Sequence, residues 1–181
     1  MAGSSSRSPA TASPPGTAAV LACDAAVSEA ERRAHFAIRR QVFVVEQGLF
    51  GGPDGGAAAG DAAVGDADPY DDDPATIHVI GRADETICGT VRLYPVPGPG
   101  RWKGDRLAVL ASYRHLGLGA PLVRFAVRSA AQLGGQQMEA FIQPANVAFF
   151  RWLGWRPDGS LVDYASIPHQ RMLIDLTRFS A

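Results

Sequence analysis

The sequence predicts an α+β fold, in which strands and helices are mixed along the chain and helices cover the faces of a sheet. Apolar runs at residues 76–81, 86–94, 105–110 and 138–143 are bounded by turn-forming residues, which is typical of strands. Residues 28–47 and 118–133 instead repeat apolar residues at helical spacing. With 46% of its 181 residues apolar, the chain can bury one real core.

The amino-terminal part combines a tail with a long helix. Residues 1–17 are rich in Ser, Ala and Pro and contain too little apolar surface to pack, so a disordered tail is expected there. Residues 18–181 are predicted to form a single domain, which begins with a short strand near residues 20–21. Ser28 and Glu31 have the spacing of a capping box, which starts a helix running to about residue 47. Ile38, Val42 and Val45 mark its buried stripe.

A long loop separates this helix from the predicted sheet. Residues 48–75 are dominated by Gly, Ala and Asp, and connections of this length are usually lids or disordered insertions. An antiparallel strand pair follows, with a Pro/Gly break after it at residues 95–100. The remaining predicted elements, in order, are a strand at 105–110, a helix ending at 134–135, a strand at 138–143, a short helix and a final strand at 170–176.

Charge and cysteine content exclude several classes of function. A net charge of −1 produces no field that would gather nucleic acid or anionic membrane. Cys23 and Cys88 lie far apart in apolar surroundings, so we expect buried free thiols and a reducing cytoplasm, and no cysteine spacing is typical of a metal site. No segment resembles a signal peptide or a membrane span. The chain is therefore predicted to be a cytoplasmic monomer or homodimer that needs no metal.

The most specific motif is Arg114-x-x-Gly117-x-Gly119, which connects an apolar strand to a helix. The first N–H groups of a helix have no intrahelical partner and carry partial positive charge, so they bind phosphate well. Glycines let a phosphate approach the backbone. The alternative is a glycine-rich helix start that binds nothing. The residues predicted to cradle a pyrophosphate are Arg114, His115, Leu116, Gly117, Leu118, Gly119 and Ala120.

At this motif the chain resembles the GNAT superfamily of acyl-CoA-dependent N-acyltransferases. Residues 138–143 look like the fifth strand of that family, and residues 146–155 are similar to its Asn-x-x-Ala-x-x-Phe-Tyr-x-x-x-Gly-Phe helix. The resemblance covers roughly residues 19–178 and implies a mostly antiparallel central sheet flanked by helices. More narrowly, residues 42–48, 70–73, 90–95 and 167–172 are similar to a bacterial branch of nitrogen-starvation N-acetyltransferases.

The resemblance implies transfer of an acetyl group from acetyl-CoA to a primary amine through a tetrahedral intermediate. The pantetheine chain would lie along the backbone of Leu107, Ala108 and Val109, where one N–H would polarise the thioester carbonyl. Since an ammonium group has no lone pair, a base must remove its proton. The candidate bases are Glu46, Asp105 and His169, with a solvated or salt-bridging role as the alternative for each. Asp105 shares strand parity with Leu107 and Val109.

One residue departs from the family pattern. Many members have a tyrosine that protonates the leaving thiolate, but Phe150 occupies the matching position here, and a phenyl ring cannot donate a proton. Phe150 is expected either to contact pantetheine or to pack in the core. Asn146 is expected to bind an amide of the CoA chain or to cap its helix.

The acceptor and two alternative functions depend on charged segments. Asp61, Asp66, Asp68 and residues 71–73 would attract a cationic amine, or would simply form a solvated surface. Arg39-x-x-x-Phe43, residues 71–73 and Arg92-Leu-Tyr-Pro95 resemble segments of acyl-homoserine-lactone synthases, which share this fold. The other alternative is a non-catalytic domain that senses acyl-CoA.

Overall fold

The computed structural model describes residues 18–49, 66–164 and 167–179. The predicted tail at 1–17 and most of the predicted loop, residues 50–65 with Asp61, lie outside the described residues. The strands are β1 Leu21–Ala25, β2 Ile77–Ala83, β3 Thr86–Pro95, β4 Arg101–Val109, β5 Gln137–Ile142, β6 Arg156–Tyr164 and β7 Ile167–Asp175; the α-helices are α1 Glu29–Arg39, α2 Gly119–Gln132 and α3 Val147–Trp152.

The seven strands of the described residues join one sheet in the order β1-β2-β3-β4-β5-β7-β6. Every neighbouring pair is antiparallel except β4 and β5, which run parallel. The predicted α+β fold with a mostly antiparallel sheet is therefore confirmed. A parallel pair needs a crossover connection, and α2 supplies it between β4 and β5.

The helices α1 and α2 cover opposite faces of this sheet. Leu107 packs with the large core cluster that contains α2, whereas its neighbour Ala108 packs with Ile38 and Val42 from the α1 segment. Successive side chains of a strand point to opposite faces, so these two clusters lie on the two sides of the sheet. We call them the α2 face and the α1 face.

The first helix begins as predicted and ends with a different winding. The Ser28 side chain accepts from the Glu31 N–H and the Glu31 carboxylate accepts from the Ser28 N–H, which is the predicted capping box. After Arg39 the chain continues as a π-helix, Arg40–Glu46. The wider turn changes which side faces the core. Ile38 and Val42 are buried, but Val45 is 62% exposed, so its prediction as a core residue is wrong.

Sequence analysis does not identify β6, which forms one edge of the sheet beside β7. Both cysteines are free thiols, with Cys88 buried and Cys23 partly buried; burial raises the pKa of Cys23 to about 11. In the described parts of the chain, none of the helices has the length and apolar character needed to cross a lipid bilayer. Nor do the residues described there include a group of three or more His, Cys, Asp or Glu side chains that could hold a metal ion.

Candidate functional site

The sheet opens between its two parallel strands. β4 pairs with β5 only over Arg101–Lys103, against Gln137–Glu139, and the strands then separate. On its other side β4 stays paired with β3 as far as Val109. The carboxyl-terminal half of β4 therefore has one unpaired edge, which borders a gap between β4 and β5.

Within this half of β4, two residues turn their backbone toward the gap. The Leu110 N–H donates to the Cys88 carbonyl on β3, and hydrogen-bonded and non-hydrogen-bonded pairs alternate along an antiparallel ladder. Ala108 therefore uses its backbone to bond β3, while the backbone groups of Leu107 and Val109 face away from β3. Of the three predicted pantetheine-binding residues, Leu107 and Val109 thus have backbone groups directed at the gap.

A β-bulge at Arg106 determines this arrangement. The β3–β4 register shifts between Thr90 and Arg92, and Arg106 has a left-handed backbone with φ of 52°. The extra residue reverses the alternation of side chains along β4. Asp105 bonds Arg92 on the α1 face, whereas Leu107 packs on the α2 face. The predicted shared parity of Asp105 with Leu107 and Val109 is therefore wrong.

The predicted phosphate cradle follows β4 directly. A 3₁₀ segment, Ala111–Leu116, leads to Gly117, whose left-handed φ of 76° suits glycine, and α2 then starts at Gly119. Leu118 occupies the cap position and makes no side-chain capping bond. A Cβ placed on Gly119 would meet only the Phe149 ring, at an ordinary contact distance of 3.6 Å. The structure itself therefore does not require glycine at position 119.

Arg114 links the cradle to the α1 segment. Its Nε donates to the Val109 carbonyl at 2.9 Å, and its guanidinium forms an ion pair with Glu46. Glu46, one of the three candidate bases, therefore holds an arginine of the phosphate turn. This contact favours the salt-bridging role for Glu46 over proton removal.

A second charged group lies on the α1 face. Three guanidinium groups and four carboxylates form one ion-pair network, here called the arginine–aspartate cluster: Arg39, Arg92, Arg106, Asp66, Asp68, Asp71 and Asp105. Arg92 binds both oxygens of Asp105, at 2.8 and 2.7 Å, and also reaches Asp71 at 2.7 Å. Arg39 binds Asp66 and Asp71, each at 2.6 Å.

The cluster changes the interpretation of the acidic residues. Burial opposes ionisation of Asp71, but hydrogen bonds and positive charge from Arg39 and Arg92 outweigh it and hold the pKa of Asp71 well below its usual range. Asp66 and Asp71 are buried, and only Asp72 and Asp73 of the predicted acidic run are exposed. Asp66 and Asp71 are therefore not solvated, and Asp68, though partly exposed, is paired with Arg92 and Arg106, so none of the three is available to attract a cationic amine.

Asp105 has little freedom to act as a base. Besides its two bonds from Arg92, it accepts a hydrogen bond from the Tyr94 hydroxyl at 3.2 Å. Burial, together with the nearby charge of Asp105, raises the pKa of Tyr94 far above its usual value, so this hydroxyl stays protonated. Both carboxylate oxygens of Asp105 therefore take part in hydrogen bonds within the structure, which favours the salt-bridging role for this residue.

His169 is the third candidate base. It lies on β7 and is 7% exposed, and its Nδ1 lies 2.8 Å from the Ile167 carbonyl oxygen. A carbonyl can only accept, so Nδ1 carries the proton and Nε2 is the basic nitrogen of the ring. His169 and Asp105 line the same cavity in the gap between β4 and β5.

Two connected spaces occupy this region. A groove of about 440 Å³ runs past Glu46, Leu107–Val109, Arg114 and Gly119, which is the course predicted for the cofactor. A cavity of about 160 Å³ lies in the gap itself. Four residues line both spaces and therefore mark where they meet: Gln47, Leu107, Asn146 and Phe150.

The structure gives Asn146 and Phe150 definite surroundings. Asn146 stands at the cap position of α3 but makes no side-chain capping bond, so the capping alternative is wrong. Phe150 is buried against Phe149 and Trp155, with ring centroids 5.5 and 5.4 Å apart, and also lines the groove. It therefore packs in the core and borders the groove at the same time.

Comparisons with known proteins agree with this geometry. The family model described as "Acetyltransferase (GNAT) family" matches residues 53–155, more than half of the chain. A search of curated proteins found no match.

Solved structures share the fold at low sequence identity. A protein from Lactobacillus plantarum described as an N-acetyltransferase aligns with a TM-score of 0.69 and 22% identity, over 86% of this chain and 98% of that one. An acyl-CoA N-acyltransferase from Pseudomonas aeruginosa gives 0.67 and 23%, over 85% and 98%. A CoA-dependent acyl-homoserine lactone synthase gives 0.67 and 19%, over 90% and 85%. On the family match, the chain belongs to the acetyltransferase (GNAT) family and is an acyltransferase.

Proposed function

We propose that the protein is an acetyl-CoA-dependent N-acetyltransferase that acts on a primary amine of a small molecule. The observation that carries this proposal is the unpaired edge of β4, which runs from the Gly117–Gly119 turn into the gap between β4 and β5. GNAT acyltransferases use acyl-CoA. The pyrophosphate would bind the turn, and pantetheine would bond the backbone of Leu107 and Val109.

The reaction follows from these positions. The amine nitrogen attacks the thioester carbon, an N–H of the β4 edge stabilises the oxyanion, and the carbon–sulfur bond then breaks to release CoA. The basic nitrogen of His169 first takes a proton from the ammonium group, which frees the lone pair for attack, and the nitrogen gives its second proton to solvent as the amide forms. Because Phe150 cannot donate a proton, the thiolate leaves unassisted and is protonated by solvent, which a thiol pKa of ~8.5 permits.

Release of free CoA tests this proposal. The protein is incubated with acetyl-CoA and a panel of amines that includes polyamines, amino sugars and lysine-like compounds, and thiol formation is followed. We expect turnover with at least one amine and a product heavier by one acetyl group. Binding of acetyl-CoA without CoA release for any amine would favour the non-catalytic sensor instead.

The second candidate is a synthase-like acyltransferase, and one observation favours it. Arg39, Asp71 and Arg92, which carry the resemblance to acyl-homoserine-lactone synthases, meet in the arginine–aspartate cluster. One structural neighbour is such a synthase in complex with SAM and isopentyl-CoA. SAM therefore belongs in the amine panel. Preference for SAM over all other amines would establish this candidate.

Two finer assignments rest on sequence alone. We propose membership of the nitrogen-starvation branch from the four segments quoted above, and a cytoplasmic location from composition. If the purified protein acetylates a specific amine, comparison of that amine with the substrates of the nitrogen-starvation branch would test the branch assignment.

A further inference from the structure

The cavity in the gap differs in character between the two faces of the sheet. On the α1 face the lining combines polar side chains with the apolar Phe43 and Phe141; the polar ones are Lys103, Asp105, Gln143 and His169. On the α2 face the walls are apolar: Val123 and Ala126 of α2, Met138, Ala140 and Ile142 of β5, and Trp155. A thioester at the β4 edge would lie between these two environments.

The attacking amine and the acyl tail, which meet at the thioester carbon, would therefore lie on opposite faces of the sheet. The attacking amine is polar and needs His169, so it would approach from the α1 face. The acyl tail is apolar and would leave the thioester toward the α2 face, because the free energy of burying apolar groups is favourable there. Leu107 and Phe150 line both the groove and the cavity, so the cavity continues directly from the expected thioester position.

An acetyl group is too small to fill this space. The cavity measures about 160 Å³, and an engineered apolar cavity of ~150 Å³ accommodates benzene, which has six carbons. We propose that the apolar side of the cavity is an acyl-chain pocket and that the protein accepts straight-chain acyl-CoA donors of about four to six carbons in addition to acetyl-CoA. This inference rests on the proposed function for the position of the thioester.

Binding of an acyl-CoA series tests the pocket without an acceptor. Dissociation constants of CoA and of its acetyl, butyryl, hexanoyl, octanoyl and dodecanoyl thioesters are measured by calorimetry. Each methylene that enters the pocket should tighten binding about fourfold. We expect improvement as far as about hexanoyl and loss of that improvement by dodecanoyl. Equal affinity from acetyl to octanoyl would overturn the proposal.

A matched pair of variants tests the location. Ala126 and Ala131 are both buried in α2, with 2% and 3% exposure, but only Ala126 lines the cavity. Ala126→Val would place two methyl groups in the pocket, so hexanoyl-CoA should bind about tenfold more weakly while acetyl-CoA binding is unchanged. Ala131→Val should leave the whole series unchanged. The same chain-length effect in both variants would overturn the assignment.

The two proposals fail in different ways. A chain-length optimum in binding with no CoA release for any amine would contradict the proposed catalytic function and leave the pocket in place. Turnover with acetyl-CoA alone, with no gain in affinity from longer chains, would contradict the pocket and leave the catalytic function in place.

Discussion

Gly119→Val separates a phosphate cradle from a merely structural glycine. A Cβ at position 119 meets only Phe149, at 3.6 Å, and the backbone there does not have a positive φ, so the variant should fold. The added methyl groups would instead occupy space that a phosphate oxygen needs. Loss of one hydrogen bond to a charged group costs about 1.5–3 kcal/mol, which corresponds to a ten- to hundredfold higher Kd.

A thermal-shift assay measures this loss of affinity as a smaller ligand-induced rise in Tm. A ligand at about 100 times its Kd stabilises the folded state by ~2.7 kcal/mol, and ~1 kcal/mol shifts the Tm of a domain of this size by about 2–4 °C. We therefore expect acetyl-CoA to raise the Tm of the wild-type protein by about 5–10 °C. At the same concentration, a hundredfold weaker variant should gain only about 1 °C.

Gln132→Val provides the control, because it adds the same side chain at an exposed position of the same helix, far from the turn. It should retain the full ligand-induced shift. If Gly119→Val folds and binds acetyl-CoA as tightly as the wild-type protein does, the phosphate cradle is assigned to the wrong residues.

Three further predictions concern the charged groups. Asp71→Asn leaves buried guanidinium charge uncompensated and should lower the free energy of unfolding by about 3–5 kcal/mol in urea denaturation, whereas the exposed neighbour change Asp72→Asn should alter it by less than ~0.5 kcal/mol; equal effects would contradict the burial of Asp71. His169→Asn should reduce kcat about 100-fold without weakening acetyl-CoA binding, while Asp105→Asn should mainly lower stability; unchanged kcat in the first would exclude His169 as the base. His35 of α1 is buried beside His78, and burial lowers the pKa of His35 to about 3. Between pH 6.5 and 4.5 only the unfolded chain therefore binds the His35 proton, so His35 alone should lower stability by about 2 kcal/mol over this range, and His35→Gln should reduce the observed loss by that amount.

The sequence predicts a helix or strand boundary well where neighbouring residues carry the signal for it. The capping box of α1 and the glycine turn before α2 depend on neighbouring residues, and both are found where expected. β6 has no such signal. Its first residues, Arg-Pro-Asp-Gly-Ser, are typical of a turn, and they become strand only because β7 lies beside them, with a register break between Pro157 and Leu161.

The candidate site shows a similar division. The order of glycines in residues 114–119 indicates an anion site without knowledge of the fold. The ion pairs of Asp71 cannot be predicted from neighbouring residues in the sequence, because its partners Arg39 and Arg92 come from α1 and β3. One usable signal is Arg92 itself, since an arginine inside an apolar strand usually needs a carboxylate partner. The left-handed Arg106 has no sequence signal.

The arginine–aspartate cluster also has an evolutionary consequence. Its seven members come from α1, β3, β4 and the segment 66–71, and Arg39 and Arg92 each serve more than one carboxylate. A single substitution therefore leaves several partners unpaired, so related sequences should keep all seven residues or replace several of them together. The exposed Asp72 and Asp73 carry no such constraint and should vary freely among the same sequences.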